Sequence, residues 1–294
     1  MAIKWNELKT SRIIKGDEKT AYRDPACYYE NGTFYLFHTI AQLEDGFMYL
    51  YIGLSRSTDL VSWTEPAILT PKDLKRNYSS PGNIFKKDGL YYMCFQTYPL
   101  PNRGDTIGDA SARLYIASSR DLISWSEPEL IRVKGDVPEE AMGRMIDPYI
   151  FEDKDVKGRF YCIYKQNGAT LSVTEDLKAY TVLGSLDSGE NCCVAVQEDS
   201  YYLFNSPHNG INVKTTKDLK IWTDLGTFYL GQREWDWAEG RITAGQVLHL
   251  KDEPGVEKNL LFFHGSYAQT YAETFGNASL GIAWSDTLTD WHYL

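Results

Sequence analysis

Short apolar and aromatic runs recur along the whole chain, each bounded by Gly, Asn, Asp or Pro. The clearest occupy residues 32–37, 89–95, 158–164, 200–204 and 259–263. Their length, and their wealth of Tyr, Phe and β-branched residues, predict strands rather than helices. A similar run precedes each one, at 25–29, 81–85, 148–151, 192–196 and 244–248, and another follows, at 49–54, 113–117, 170–173, 211–214 and 280–284. After each third run comes a repeated phrase, first seen as Ser57-Thr58-Asp59-Leu60-Val61-Ser62-Trp63 and again at 119–125, 174–180, 216–222 and 285–291. It turns the chain into a predicted fourth strand carrying the Trp or Tyr.

Four antiparallel strands repeated five times predict an all-β, five-bladed β-propeller. The blades span roughly 22–66, 79–130, 144–182, 188–226 and 238–294 of one 294-residue domain. Residues before about Tyr22 form a lead-in expected to pair with the last blade and close the ring. The turns into the second strands and the repeated phrases share one face, and they are short and regular. Here Asp serves as a turn cap and Trp as inter-blade packing. Toward the opposite face lie the starts of the first strands and four irregular loops, 41–48, 98–112, 206–210 and 266–278. Function is expected there.

Composition narrows the partners. A net charge of −10 argues against nucleic acid and anionic membranes, both of which call for a basic surface. No run is long and apolar enough to be a membrane helix. The N-terminal stretch lacks the apolar core of a secretory signal, and five scattered cysteines without metal spacing read as reduced, buried thiols. Together these features predict a cytoplasmic protein. No zinc spacing, phosphate-cradling glycine loop or Gly-x-Ser-x-Gly elbow is present.

The entrances to the first strands carry the chemistry. They read Arg23-Asp24-Pro25, Ser79-Ser80-Pro81, Ile146-Asp147-Pro148, Ser188-Gly189-Glu190-Asn191 and Ala238-Glu239-Gly240-Arg241. Entrances are the innermost positions of a propeller, so carboxylates from several blades face one narrow cavity. Like charges at close range separate into a protonated and an ionised group, or hold a cation among them. No cofactor is expected, and a structural cation at the axis stays open.

Arg-Asp-Pro, then Ile-Asp-Pro-Tyr-Ile-Phe, then Gly-Glu ahead of Asp-Ser-Tyr-Tyr-Leu-Phe resembles the glycoside hydrolases of family 43 and their arabinanase, xylosidase and invertase relatives. The resemblance spans nearly the whole chain and implies Asp24 as general base, Asp147 as modulator of the acid's pKa and Glu190 as general acid. Inverting cleavage needs base and acid about 6.5–9.5 Å apart to admit a water, a gap that opposite walls of a funnel provide. The chain departs from the family in blade four, where Glu190-Asn191-Cys192 replaces the usual Glu-Gly-Pro. Glu239-Gly240 resembles that pattern but lies in the wrong blade. Arg23-Asp24-Pro25 also departs from the Asn-Asp-Pro of the retaining invertases, which favours inversion.

Candidate sugar-binding residues are Arg23 and Ser80 at the entrances, His208 in the blade-four loop, and Trp237 (with Trp235) as a stacking platform. Glu239, Arg241 and His264 near the axis complete the set, with His38 more readily explained as structural. The resemblance implies a pentose substrate, arabinofuranose or xylose, while the expected cytoplasmic location and the long loops able to wall the funnel point to removal of a terminal sugar from a short oligosaccharide. The same residues also accommodate a phosphorylase, a galactoside or fructoside hydrolase, or a carbohydrate-binding propeller without catalysis. The presence of all three carboxylates weighs against the last.

Overall fold

The computed structural model describes residues 2–268 and 275–294, so part of the predicted loop at 266–278 lies outside the described residues. Five four-stranded antiparallel sheets surround an axis. Blade one contains β2 (Thr20–Glu30), β3 (Thr33–Glu44), β4 (Phe47–Ser57) and β5 (Ala67–Ile68), and blade two β6 (Tyr78–Lys87), β7 (Leu90–Thr97), β8 (Leu114–Ser119) and β9 (Glu129–Leu130). Blade three has β10 (Ile146–Glu152), β11 (Phe160–Lys165), β12 (Ala169–Thr174) and β13 (Thr181–Leu186). Blade four has β14 (Glu190–Gln197), β15 (Ser200–Ser206), β16 (Ile211–Thr216) and β17 (Thr223–Phe228). Blade five joins β18 (Arg241–Leu250), β19 (Lys258–Ser266) and β20 (Ser279–Ser285) to the N-terminal β1 (Arg12–Ile14), which pairs antiparallel with β20. The lead-in thus supplies the outer strand that ties the two ends of the chain into one sheet.

The innermost strands β2, β6, β10, β14 and β18 each touch the next around the ring. They approach so closely that a Cβ on Gly82 would lie 1.5 Å from the Pro148 carbonyl oxygen. Buried amides replace ladder partners between blades. Asn83 Nδ2 donates to the Ile150 carbonyl (2.6 Å) while its Oδ1 accepts from the Ile150 N–H (2.9 Å). Gln246 Oε1 accepts from the Cys27 N–H at 2.6 Å.

The repeated phrase is scaffold. Ser57 Oγ accepts from the Leu60 N–H (2.8 Å), and Asp59 Oδ1 from the Val61 and Ser62 N–H groups (2.8 and 2.7 Å). The copies in blades two, three and four repeat these bonds. In the fifth, Thr287 Oγ1 takes the place of the carboxylate, accepting from Thr289 and Asp290. In three copies the aromatic ring packs on the preceding blade: Trp125 against Phe37 (5.6 Å between centroids), Trp291 against Phe204 (6.1 Å), and Trp63 across the closure against Phe262 (6.3 Å).

Two expectations are corrected. In blades one to four the fourth strand starts after the aromatic residue instead of carrying it, because the ring is used between blades, and in blade five the N-terminal β1 stands in place of the strand expected after Trp291. The segment 41–48 is an extended hairpin, not an irregular loop: β3 and β4 pair out to Glu44 and Phe47 around Asp45-Gly46. Both turn residues have positive φ (52° and 79°), the conformation that a two-residue hairpin turn of this hand requires.

Candidate active site

A bulge recurs in the innermost strands and builds the site. In β2, Arg23 pairs with Thr39 but Ala26 with Phe37, so Asp24 and Pro25 together face the single residue His38. The same shift follows Ile146 in β10 and Glu190 in β14, and in β6 a larger one follows Ser79, with Ser80, Pro81 and Gly82 facing Phe95 alone. The first bulged residue has positive φ in all four blades: Asp24 49°, Ser80 44°, Asp147 53° and Asn191 51°. Such a conformation costs a non-glycine residue about 1 kcal/mol or more, and Asp and Asn tolerate it best. In three blades the next residue is proline, which has no N–H to leave unpaired at the break. The bulge therefore turns one side chain per blade toward the axis.

In this register the three carboxylates at the strand entrances are not equivalent. Asp24 and Asp147 correspond to each other and to Ser80, but their blade-four counterpart is Asn191. Glu190 stands one residue earlier, level with Arg23, Ser79 and Ile146.

The bulged residues line a cavity that is open to solvent, together with Arg23, Thr39, Ser79, Gln96, Tyr98, Glu190 and Phe275. On one wall, Asp24 Oδ2 accepts from Thr39 Oγ1 (2.9 Å) and Ser80 Oγ (3.0 Å), and its Oδ1 accepts from Asn191 Nδ2 (3.2 Å). Asp147 is buried; its backbone N–H donates to Gln96 Oε1 (2.6 Å), and its Oδ2 accepts from the Asn191 N–H (3.4 Å). Burial, reinforced by the charges of Glu190 and Asp24, pushes the Asp147 carboxyl up to about 7. Glu190 is the most accessible of the three, with its side chain 36% exposed, and its Oε1 accepts from Arg241 Nη2 at 3.1 Å. Three carboxyl groups from three blades thus share one cavity in different settings: one triply hydrogen-bonded, one buried with a raised pKa, one half-buried and paired with an arginine. Among the described residues, no group of three or more His, Cys, Asp and Glu side chains gathers as a metal site.

The remaining candidates are distributed as follows. Arg23 lines the cavity, its guanidinium 4.7 Å from the Phe275 ring centroid. Arg241 also donates to the Pro207 carbonyl (3.3 Å). His264 is buried directly behind Asp24, its Nδ1 accepting from the Asp24 N–H (3.2 Å), and burial pushes its pKa well down. His38 is also buried, held down to about 4 by that burial. His208 is exposed on the blade-four loop and Glu239 is exposed near Gln232 and Asn209; neither lines the axial cavity. Trp237 is a correction: it is a core residue, stacked on Trp235 and Phe263 (centroids 5.1 and 5.8 Å), because the apolar face offered to a sugar is already covered by rings of its own blade. Thr39, Gln96 and Asn191 were not anticipated. Asn191 carried a signal, since it follows Glu190 where Asp24 and Asp147 follow Arg23 and Ile146.

The sequence model of glycosyl hydrolases family 43 matches residues 18–183. A comparison with curated proteins returned no match. Among solved structures, a glycosyl hydrolase from Bacteroides ovatus superposes with a TM-score of 0.67 at 14% identity, covering 97% of this chain and 95% of that one. An exo-1,5-α-L-arabinanase from a bovine ruminal metagenomic library gives 0.64 at 18% identity, over 95% and 98% of the two chains. A β-xylosidase/α-arabinofuranosidase from a compost microbial metagenome, solved with xylotriose, gives 0.65 at 14% identity, over 97% of each.

Proposed function

Because the chain belongs to family 43 of the glycosyl hydrolases and is therefore a glycosidase hydrolysing O-glycosyl bonds, we propose that it removes a terminal pentose from short oligosaccharides with inversion, using Asp24, Asp147 and Glu190. The observation that carries this reading is the meeting of these three carboxyl groups in one cavity, each in a different setting. Asp24, held by three donors, accepts a proton from the attacking water. Glu190, on the accessible wall, donates a proton to the leaving oxygen, and an incoming glycoside must first displace Arg241 from it. Asp147 adjusts Glu190 by charge: once ionised, it opposes a second negative charge beside it and favours the protonated acid.

Arabinofuranose or xylose is the substrate we infer, and the five buried, unpaired cysteines support a reducing, cytoplasmic setting.

The test is a panel of aryl glycosides assayed with the wild type, Asp24→Asn and Glu190→Gln. Both variants should lose at least about 10²-fold in kcat while remaining folded, and the Glu190→Gln loss should shrink with a good leaving group that needs no proton. Proton NMR of the first-formed sugar reports the anomer, and a retained anomer would refute inversion. Full activity in Glu190→Gln together with loss in Glu239→Gln would move the acid to blade five.

A further inference from the structure

The bulge in blade four puts an asparagine where blades one and three carry the aspartates, and that asparagine reaches both of them. Asn191 Nδ2 donates to Asp24 Oδ1 at 3.2 Å, and its backbone N–H donates toward Asp147 Oδ2 at 3.4 Å. The two oxygens of Asp24 are unequal. Oδ2 already accepts from both Thr39 and Ser80, which engages its two lone pairs. On Oδ1, Asn191 is the donor found among the described residues, so one lone pair remains there. Oδ1 is then the atom able to take a proton from water, and the Asn191 amide sets which way its remaining lone pair points.

We propose that Asn191 is a positioning residue for hydrolysis, orienting the proton-accepting oxygen of Asp24 and linking it to the Asp147 carboxyl group through its own backbone N–H. This inference rests on the reading of Asp24 as the base. It accounts for a feature with a local cost: Asn191 is held at φ 51°, where glycine would sit without strain and where the resembled family pattern has glycine. An asparagine at that point keeps the strained backbone and adds an amide in reach of the base.

Glycine is for that reason the informative substitution. Asn191→Gly accepts the backbone, so its Tm should equal or exceed that of the wild type. It removes a hydrogen bond to an ionised acceptor, so the acidic limb of kcat/KM should move up by about one pH unit. The loss of orientation should lower plateau kcat about tenfold, with KM within about twofold. Asn191→Asp also tolerates left-handed backbone, but it turns a carboxylate toward Asp24 and should lose more than Asn191→Gly. The groups facing this position are Asp24, Asp147 and Glu190, with Arg23, Arg241 and Arg144 around them and the buried His264 behind. Carboxyl carbon NMR of labelled aspartates gives a readout independent of turnover: in Asn191→Gly, at least one site carboxyl should titrate at higher pH than in the wild type.

An Asn191→Gly protein with the wild-type pH profile, kcat and aspartate titrations would overturn the proposal, as would a fully active Asn191→Asp. The two readings fail separately. If Asp24→Asn abolishes turnover while Asn191→Gly changes nothing, only the role of Asn191 falls. If Asp24→Asn retains turnover, the assignment of the base falls with it.

Discussion

Replacing Asp147 by asparagine should stabilise this protein, and increasingly so as the pH rises. In the folded chain the Asp147 carboxyl moves from an ordinary 3.8 to about 7, first through burial and then through the charges of Glu190 and Asp24. Below pH 3.8 both folded and unfolded chains hold the proton, and no penalty exists. Between 3.8 and 7 the unfolded chain ionises while the folded one does not, so stability falls as pH rises. Above 7 the folded state carries the whole penalty, up to about 4 kcal/mol. Between pH 5 and pH 8 the wild type should therefore lose about 2–3 kcal/mol at this one group. Asparagine has no charge to lose, and its carbonyl oxygen can still accept from the Asn191 N–H. Any packing cost of the new amide is the same at both pH values and cancels in the comparison. The assay is urea unfolding of the wild type and Asp147→Asn at pH 5 and pH 8, with equal slopes as the check on two-state behaviour. Stability curves for the two proteins that run parallel between those values would refute the reasoning, because they would mean that Asp147 already ionises at its unfolded-state pH. In activity the same substitution should cost at least about 10²-fold in kcat, trading function for stability as expected of a strained, charge-crowded site.

Ser80→Ala removes one of the two hydroxyl donors on Asp24 Oδ2 and should lower kcat/KM about tenfold, read from initial rates, while a thermal melt shifts little. Trp125→Ala opens a gap beside Phe37 between blades one and two; chemical denaturation should show a loss of about 2–3 kcal/mol, with the specific activity of the folded enzyme unchanged at 25 °C. Deleting residues up to Ile14 takes β1 from blade five and uncovers buried Leu280 and Ile282. Circular dichroism should then show a melt at least about 5 °C lower.

Much of the architecture was legible in the chain because it is repeated. One turn phrase in five copies marks the end of the third strand in each of five blades, and the alternation of aromatic and polar residues marks strands whose side chains face opposite ways. The turns are built by bonds to their own backbone, as Asp59 makes to the Val61 and Ser62 amides, so their structure is local and so is their signature. The convergence of Asp24, Asp147 and Glu190 was readable as well, since first-strand entrances of a closed ring must approach the axis.

What the chain alone leaves open is register. Whether Glu190 or Asn191 matches Asp24 depends on which residue of β15 each one pairs with, and a bulge shifts that pairing by one. The tolerance of Asp and Asn for positive φ permits the shift at either kind of residue, and pairing with a strand several residues away fixes where it falls. Trp237 misleads for a related reason. An aromatic residue is equally suited to sugar or to core, and only the packing of Trp235 and Phe263 against it decided for core. The sequence determined five blades and the chemical types at their entrances. The tertiary structure decided which atoms meet: the donors on each oxygen of Asp24, the burial that raises Asp147, and the arginine that reaches Glu190. Those depend on distances between segments far apart in the chain, which closing the ring brings together.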